Sequence, residues 1–324
     1  MVRVEQRGTV ETYSAGSLCP DGSAGPDAPC SPDSLFDLAS LTKLATTALL
    51  LSLIRERALT LETPLREIVP DFRGGRKDEV TLFHVLTHTG GLRWWLPLHQ
   101  EAHSIEEAVW RAAQEPLAQD LGTYTYSDLG PIMLTGGLAA AGGGPFDALI
   151  RERVAGPIEA ETLTFLPADP HRCAATELDA TFGRGRIRGG VHDENAHAMG
   201  GIAGHAGLFG TAADVAALAR VFRDGAVIGN EQAALARREH ARGENARVGL
   251  GLALRAPNGP MTGEGWSLDT FGHTGFTGTS LWIDPAHSGG ALTVVLLTNR
   301  VYFGRTNDSA MYRFRIAVHE AAAA

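Results

Sequence analysis

An apolar-rich stretch begins just after Ser40. The run LTKLATTALLLSLI (residues 41–54) leaves no polar face over several turns, the pattern of a helix packed on all sides. This predicts a helix opened by Ser40 and ending near Ile54, with Arg55 and Arg57 complementing its C-terminal dipole. Upstream, MVRVEQRGTVETYSAG reads as a strand, a turn at Gly8 and a second strand, followed by a Gly/Pro/Ser loop over residues 14–34. Helical patterning then covers Thr81–Leu86, Ile105–Ala113, Gly130–Ala141 and Pro145–Val154, joined by Gly/Pro loops. A glycine-rich segment leads into a helix over Ala212–Phe222. Beyond Arg247 the period shortens to two in VGLGLAL, TSLWID and ALTVVLLT, which predicts an antiparallel meander. A last helix, from about Ser309, carries Met311, Phe314, Ile316 and Val318. Strands, then helices, then strands and a helix imply an α+β class. The expected arrangement is one catalytic unit over 1–324: a sheet-containing lobe from residues 1–59 and 200–324, and a mostly helical inserted lobe over 60–199.

The 324 residues are 44% hydrophobic, enough for a large core, and carry a net charge of −9. Dispersed arginines and no lysine-rich patch exclude nucleic acid as the expected partner. No stretch approaches the roughly 18 apolar residues of a membrane span. The first residues hold no apolar signal core, so the cytoplasm is the expected compartment. Cys19, Cys30 and Cys173 are odd in number and widely spaced, which argues for free thiols and against a disulfide framework. The neighbourhood of Cys173, HRCAATE, has no helix start or glycine elbow that would mark a nucleophile.

Lysine usage brings in chemistry. Of 28 basic residues only Lys43 and Lys77 are lysines, and Lys43 lies three residues after Ser40. Arginine keeps its proton near neutral pH, whereas a desolvated lysine can become an amine and a base. Positions i and i+3 share a helix face, so a hydroxyl nucleophile and a basic amine would meet there. A capping serine followed by a surface lysine has the same spacing, but the flanking leucines argue for burial. A second segment, Tyr124-Thr125-Tyr126-Ser127-Asp128, precedes a helix. Its phenol suits a proton relay and Asp128 suits a lysine ammonium or a substrate amide, while Ser127 or Asp128 also fits a plain N-cap. A third, Gly272-His273-Thr274-Gly275-Phe276-Thr277-Gly278, fits either a substrate-binding strand edge or a simple glycine-rich hairpin.

Taken in order, Ser40-x-x-Lys43, Tyr126-x-Asp128 and His273-Thr274-Gly275 resemble the three motifs of the penicillin-recognising serine hydrolases, the β-lactamases and D-Ala-D-Ala peptidases. FDLASLTK, TLFHVLTHTGGL, VHDENAHAMGGIAGHAGLFGTA and VVLLTNRV extend the resemblance to the class C β-lactamase-related hydrolases, esterases and penicillin-binding-protein-like peptidases over nearly the whole chain. The resemblance implies their fold, an antiparallel sheet flanked by helices. It implies Ser40 as acylated nucleophile, Lys43 as its base and Tyr126 as proton relay; Lys43 is expected to be neutral through burial and its neighbours. The backbone N–H groups of Ser40 and Phe276 would form the oxyanion hole, with Asp128, His273, Thr274 and Gly275 at the substrate. No metal or organic cofactor is implied. The implied substrate is a small molecule or short peptide, in one subgroup an amide of a muramyl-peptide or D-amino-acid peptide. A carboxylesterase, or a non-turnover binder of wall peptides or β-lactams, would use the same residues. Three departures stand out: Asp128 where Asn is commonest, His273 where true β-lactamases have Lys, and a short N-terminal region without the leading helix of many relatives. The first two argue against efficient penicillin hydrolysis.

His192, Asp193, Glu194, Asn195, His197 and His205 form a histidine-rich loop. Its spacing matches no metal motif, so a hydrogen-bonded scaffold under the site is the first expectation, substrate contact the second and zinc the third. His88 is expected to be structural, satisfied by backbone groups. Trp94 and Trp95 would wall a pocket or pack the lobes together.

Overall fold

The computed structural model describes residues 1–257, 262–306 and 308–324. Its main sheet has eight strands, numbered along the chain as β1 (Val2–Gln6), β2 (Thr9–Tyr13), β3 (Ala241–Arg242), β4 (Arg247–Val248), β5 (Ala253–Leu254), β6 (Phe271–Thr274), β7 (Ser280–Asp284) and β8 (Leu292–Leu296). They lie in the order β2-β1-β8-β7-β6-β5-β4-β3, every neighbour antiparallel. Of the predicted meander, TSLWID and ALTVVLLT form β7 and β8, β6 pairs beside β7, and the N-terminal hairpin extends the sheet through pairs such as Val4↔Val294. Every residue of β7 is buried, because both faces of this inner strand are covered. Leu281 and Ile283 join the main core, while Trp282 packs with Trp266, Leu292 and Val294 on the opposite face.

Five helices matter for the site: α1 (Thr42–Arg55), α2 (Ile105–Gln114), α3 (Leu129–Gly142), α4 (Ala212–Arg223) and α5 (Asp308–Ala323). In α1, residues Thr42–Leu53 are all buried, as its missing polar face required. It crosses α3, and α4 lies on the β7–β8 face. One hydrophobic cluster runs through α1, α3 and α4, so the mostly helical region is continuous with the sheet's core. Helix α4 starts where predicted, with a capping box in which Thr211 Oγ1 accepts the Asp214 N–H (3.2 Å) and Asp214 accepts the Thr211 N–H (2.8 Å).

Two expectations on local structure fail. VGLGLAL is not one strand: it splits into β4 and β5 around a turn. A Cβ at Gly249 would sit 2.1 Å from the Ala236 carbonyl, and one at Gly251 (φ +64°) 2.1 Å from Thr47 Oγ1. The alternation was real, but these glycines serve close backbone approach. Pro145–Val154 is likewise not one α-helix. Phe146–Ile150 is α-helical, and Arg151–Ala155 loosens into a π-turn.

Candidate active site

The nucleophile segment is delivered by a short strand, Phe36–Asp37, pairing with Leu208–Gly210. The chain then turns sharply: Ala39 has φ +46°, a left-handed conformation costing a non-glycine residue about 1 kcal/mol. The buried Asp37 carboxylate holds that turn, accepting the N–H of Ala39 (2.8 Å) and of His192 (2.7 Å). Ser40 thus lies in a single 3₁₀ turn, Ala39–Leu41, ahead of α1, not in its first α-helical turn.

Lys43 follows on α1, its side chain only 4% exposed. Its Nζ donates to Ser40 Oγ (2.9 Å) and to the His205 carbonyl (3.2 Å), and lies 2.7 Å from Asp128 Oδ1 as an ion pair without hydrogen-bond alignment. Burial alone would lower its pKa, but the Asp128 carboxylate and the Tyr126 oxygen outweigh burial and hold the ammonium above the ordinary lysine range. This runs opposite to the neutral Lys43 expected from burial and neighbours: the Asp128 carboxylate beside it favours the ammonium. Burial pushes the Tyr126 phenol up, with Lys43 pulling it partly back, so it is protonated at neutral pH. The phenol interacts with both Ser40 and Lys43, and the ammonium lies 5.0 Å from its ring centroid.

Asp128 occupies the N-cap position of α3 without capping it. Ser127 does that work, accepting the Leu129 N–H (3.1 Å) while its hydroxyl donates to the Arg93 carbonyl (2.6 Å). His88, at φ +55°, is held by backbone as expected, its Nδ1 accepting the Ser127 N–H (3.1 Å). It does more than that, because its ring lies 4.7 Å from the Tyr126 ring and lines the cavity. Burial, then Lys43, lower its pKa to about 3.

The third segment is both of the things the sequence allowed, a strand edge (β6) and the hairpin turn into β7. Thr277 Oγ1 donates to the Asp37 carbonyl (2.8 Å) and Thr279 Oγ1 to the Leu38 carbonyl (3.2 Å), stapling that turn to the residues before Ser40. Gly275 is obligatory there, since a Cβ would meet Thr279 Oγ1 at 2.1 Å and the Leu38 carbonyl at 2.6 Å. His273 Nδ1–H donates to the Thr274 carbonyl (2.8 Å), and burial, then Lys43, lower its pKa to about 4. Its other nitrogen is then an acceptor at neutral pH, which offers nothing to a carboxylate. The ring lies 6.0 Å from that of Tyr126, a geometry that fits orienting the tyrosine. Thr274, opposite Ser280 in the register, lines the cavity from the α5 side.

The histidine-rich loop lies beneath these groups. His205, whose carbonyl holds Lys43, pairs through Nε2 with Asp193 (2.9 Å), and His192 pairs with Glu177 (2.8 Å). Burial would raise the Asp193 carboxyl, but His205 and the Ala196 N–H outweigh it and hold it well below the usual range. These contacts match the scaffold expectation, and among the described residues no group of three or more His, Cys, Asp or Glu is placed to share an ion. Trp94 and Trp95 stack on each other 5.8 Å apart, with Trp94 64% exposed. The three cysteines are free, and burial raises Cys173 to about 12. Sequence reasoning passed over Asp37, the Thr277 and Thr279 staples and the His205 carbonyl; only Asp37, inside FDLASLTK, carried a readable signal.

Ser40, Tyr126, His273, Thr274, Gly275 and Phe276 share one cavity of about 560 Å³. A serine under a lysine and a phenol, opening into a cleft beside a strand edge, is the arrangement of a serine acyl-transfer hydrolase. The chain belongs to the Beta-lactamase family, whose model matches residues 2–317. An Escherichia coli (strain K12) protein provisionally named a D-alanyl-D-alanine carboxypeptidase is 29% identical over 306 residues, covering 82% of this chain and 69% of that one. The solved structure of EstCE1, a hydrolase with promiscuous acyltransferase activity, superposes with a TM-score of 0.77 (22% identity; 97% of this chain, 92% of that one). The class C β-lactamase from Rhodobacter sphaeroides gives 0.76 (20% identity; 99% and 94%). The fold is therefore the β-lactamase and penicillin-binding-protein fold. Among the described residues no helix is long and apolar enough to cross a membrane.

Proposed function

We propose that this β-lactamase-family serine hydrolase cleaves an amide bond in a muramyl-peptide or D-amino-acid peptide through an acyl-enzyme on Ser40. The observation that carries the chemistry is the contact set of Lys43 Nζ with Ser40 Oγ and Asp128. Asp128 sets how much of Lys43 is present as the reactive amine. Once the ammonium has lost its proton to solvent, the amine takes the Ser40 proton as Oγ bonds to the carbonyl carbon. The oxyanion is held by the backbone N–H groups of Ser40 and Phe276. Tyr126 passes a proton to the leaving nitrogen as the C–N bond breaks, and water then attacks the acyl-enzyme by the same route. No cofactor enters these steps.

Support for the substrate class comes from the carboxypeptidase name of the E. coli relative and from the departures at Asp128 and His273, which set the site apart from a penicillin hydrolase. An esterase reading is favoured by the apolar wall of the cavity, Val248, Leu252 and Leu254, and is separated from the first by comparing kcat/KM on short esters and peptides. The test is mass spectrometry of soluble muropeptides incubated with wild type and Ser40→Ala. Release of D-Ala or a peptide by wild type alone supports the proposal, and the mass lost names the bond. An unchanged mixture with wild type ends the wall-fragment assignment.

A further inference from the structure

Four aromatic side chains pack in a row on the loop that leads to Asp128. Trp94 and Trp95 stack with their planes 29° apart, Trp95 lies 6.1 Å from the His99 ring, and His99 meets Phe182 edge-on at 4.9 Å. The row is open to solvent, Trp94 being 64% exposed and Phe182 47%. Single apolar side chains on a surface need no explanation, whereas a contiguous exposed run of them marks a place where something binds. Neither tryptophan is among the described residues that line the cavity of about 560 Å³, so this is a second surface beside it. Its position is fixed by the catalytic groups. The Trp94 carbonyl accepts the Asp128 N–H (3.0 Å), and the Arg93 carbonyl accepts the Ser127 hydroxyl (2.6 Å). Asn195 donates to the Leu96 carbonyl (2.8 Å) and accepts the His99 N–H (2.9 Å), which ties the loop to the segment bearing Asp193 and His205. Phe182 is held from that segment too: Asp179 accepts its N–H (2.9 Å) and pairs with Arg184, whose guanidinium donates to the Val191 and His192 carbonyls (3.1 and 2.9 Å).

Shape and polarity say what covers it. Trp94 is too open to enclose an alkyl side chain, which would gain little by leaving water there. A pyranose ring is matched to such a surface. Its C–H bonds make a flat apolar face whose weakly positive hydrogens meet the negative face of an indole, while its hydroxyls stay in water at the rim. A ring already held in place by its loop also loses little freedom when a ligand settles on it. In a muramyl-peptide the sugar is joined to the peptide itself, so a ring seated on Trp94 leads that peptide past Asp128 toward Ser40. We infer that Trp94, backed by Trp95, is a sugar-binding platform that seats the pyranose of a muramyl group from the mostly helical side of the site. This rests on the muramyl-peptide reading of the active site and adds to it a subsite for the glycan.

The experiment uses the full chain carrying Ser40→Ala to prevent turnover. It compares Kd for N-acetylmuramyl-L-alanyl-D-isoglutamine with Kd for N-lactoyl-L-alanyl-D-isoglutamine, the same peptide without the sugar. With Trp94 intact the sugar-bearing ligand binds about 5- to 10-fold more tightly, the range of one favourable ring contact. With Trp94→Ala the two come within about twofold of each other. Trp94→Phe recovers part of the preference and Trp94→Leu does not, because leucine offers apolar area without a flat π-face. The Trp94 backbone holds Asp128, so a merely structural indole would weaken both ligands alike. Equal binding of the two ligands with Trp94 intact, no binding of either, a preference that survives Trp94→Ala, or a parallel loss of both in a folded variant overturns the inference. The comparison with Trp94 intact needs no change at that position, and the phenylalanine and leucine variants carry the test where alanine fails to fold. A wild type that leaves muropeptides uncut while the sugar preference stands would sink the proposed reaction and keep the platform; cutting without a sugar preference would do the reverse.

Discussion

Asp128→Asn perturbs the site at one atom pair. Its Oδ1 lies 2.7 Å from Lys43 Nζ, and the two side chains are 18% and 4% exposed. At an effective dielectric of about 20, that separation corresponds to about 6 kcal/mol favouring the ammonium. Asparagine removes the charge and leaves burial to act alone, which favours the neutral amine. Even a quarter of the Coulomb figure exceeds the 1.36 kcal/mol that equals one pH unit. The sign follows: a raised lysine pKa puts the reactive amine at high pH, so lowering it moves the rising limb of the rate profile toward acid. We expect a displacement of at least about one unit. The assay is single-turnover release of p-nitrophenol from a short-chain ester between about pH 5.5 and about pH 10, with the melting temperature of both proteins recorded. A limb that stays within about 0.2 unit of wild type in a folded variant would refute direct coupling of Asp128 and Lys43.

Gly275→Ala should cost about 100-fold in kcat/KM, because its Cβ overlaps the Leu38 carbonyl and Thr279 Oγ1 and forces the turn away from Ser40; activity within about threefold of wild type would contradict this. His88, His273 and His319, with pKa values lowered to about 3, about 4 and about 3 chiefly by burial, remain neutral while the unfolded chain protonates below about 6.5. Stability therefore falls with pH, by about 1 kcal/mol per histidine between pH 7 and 5.5. Urea titrations at the two pH values check this, and an unchanged midpoint would show that these rings are accessible. NMR titration should place the His273 ring near 4; a midpoint near 6.5 would make it a cation in the working range.

Much of this was legible before any coordinates. The apolar-rich run after Ser40 has no clear polar face, the pattern of a helix buried on all sides, and α1 is one. The period-two runs TSLWID and ALTVVLLT became β7 and β8, since alternation with a fully apolar inner strand has few other solutions. Three things were not legible. Gly249 and Gly251 looked like ordinary strand positions because nothing local records that Ala236 and Thr47 approach them. The charge of Lys43 depended on a carboxylate 85 residues away in the chain: Asp128 was readable as a partner of the ammonium, but its closeness to Nζ, which decides against burial, was not. Arg315 reads as one of many arginines; only the structure shows it buried on the cavity wall, its Nη2 donating to the Thr279 carbonyl (3.3 Å). Local pattern encodes elements, whereas charge state and close approach are set by long-range contacts.

The central claim is that Ser40 becomes acylated by way of Lys43. The most direct test is intact-protein mass spectrometry of an acid-quenched reaction with an activated ester, followed by peptide mapping. The account predicts a single acyl mass on the peptide carrying Ser40 in wild type, none in Ser40→Ala, and a strongly slowed adduct in Lys43→Ala. An adduct mapping to another residue, or one forming at wild-type rate without Lys43, would contradict it.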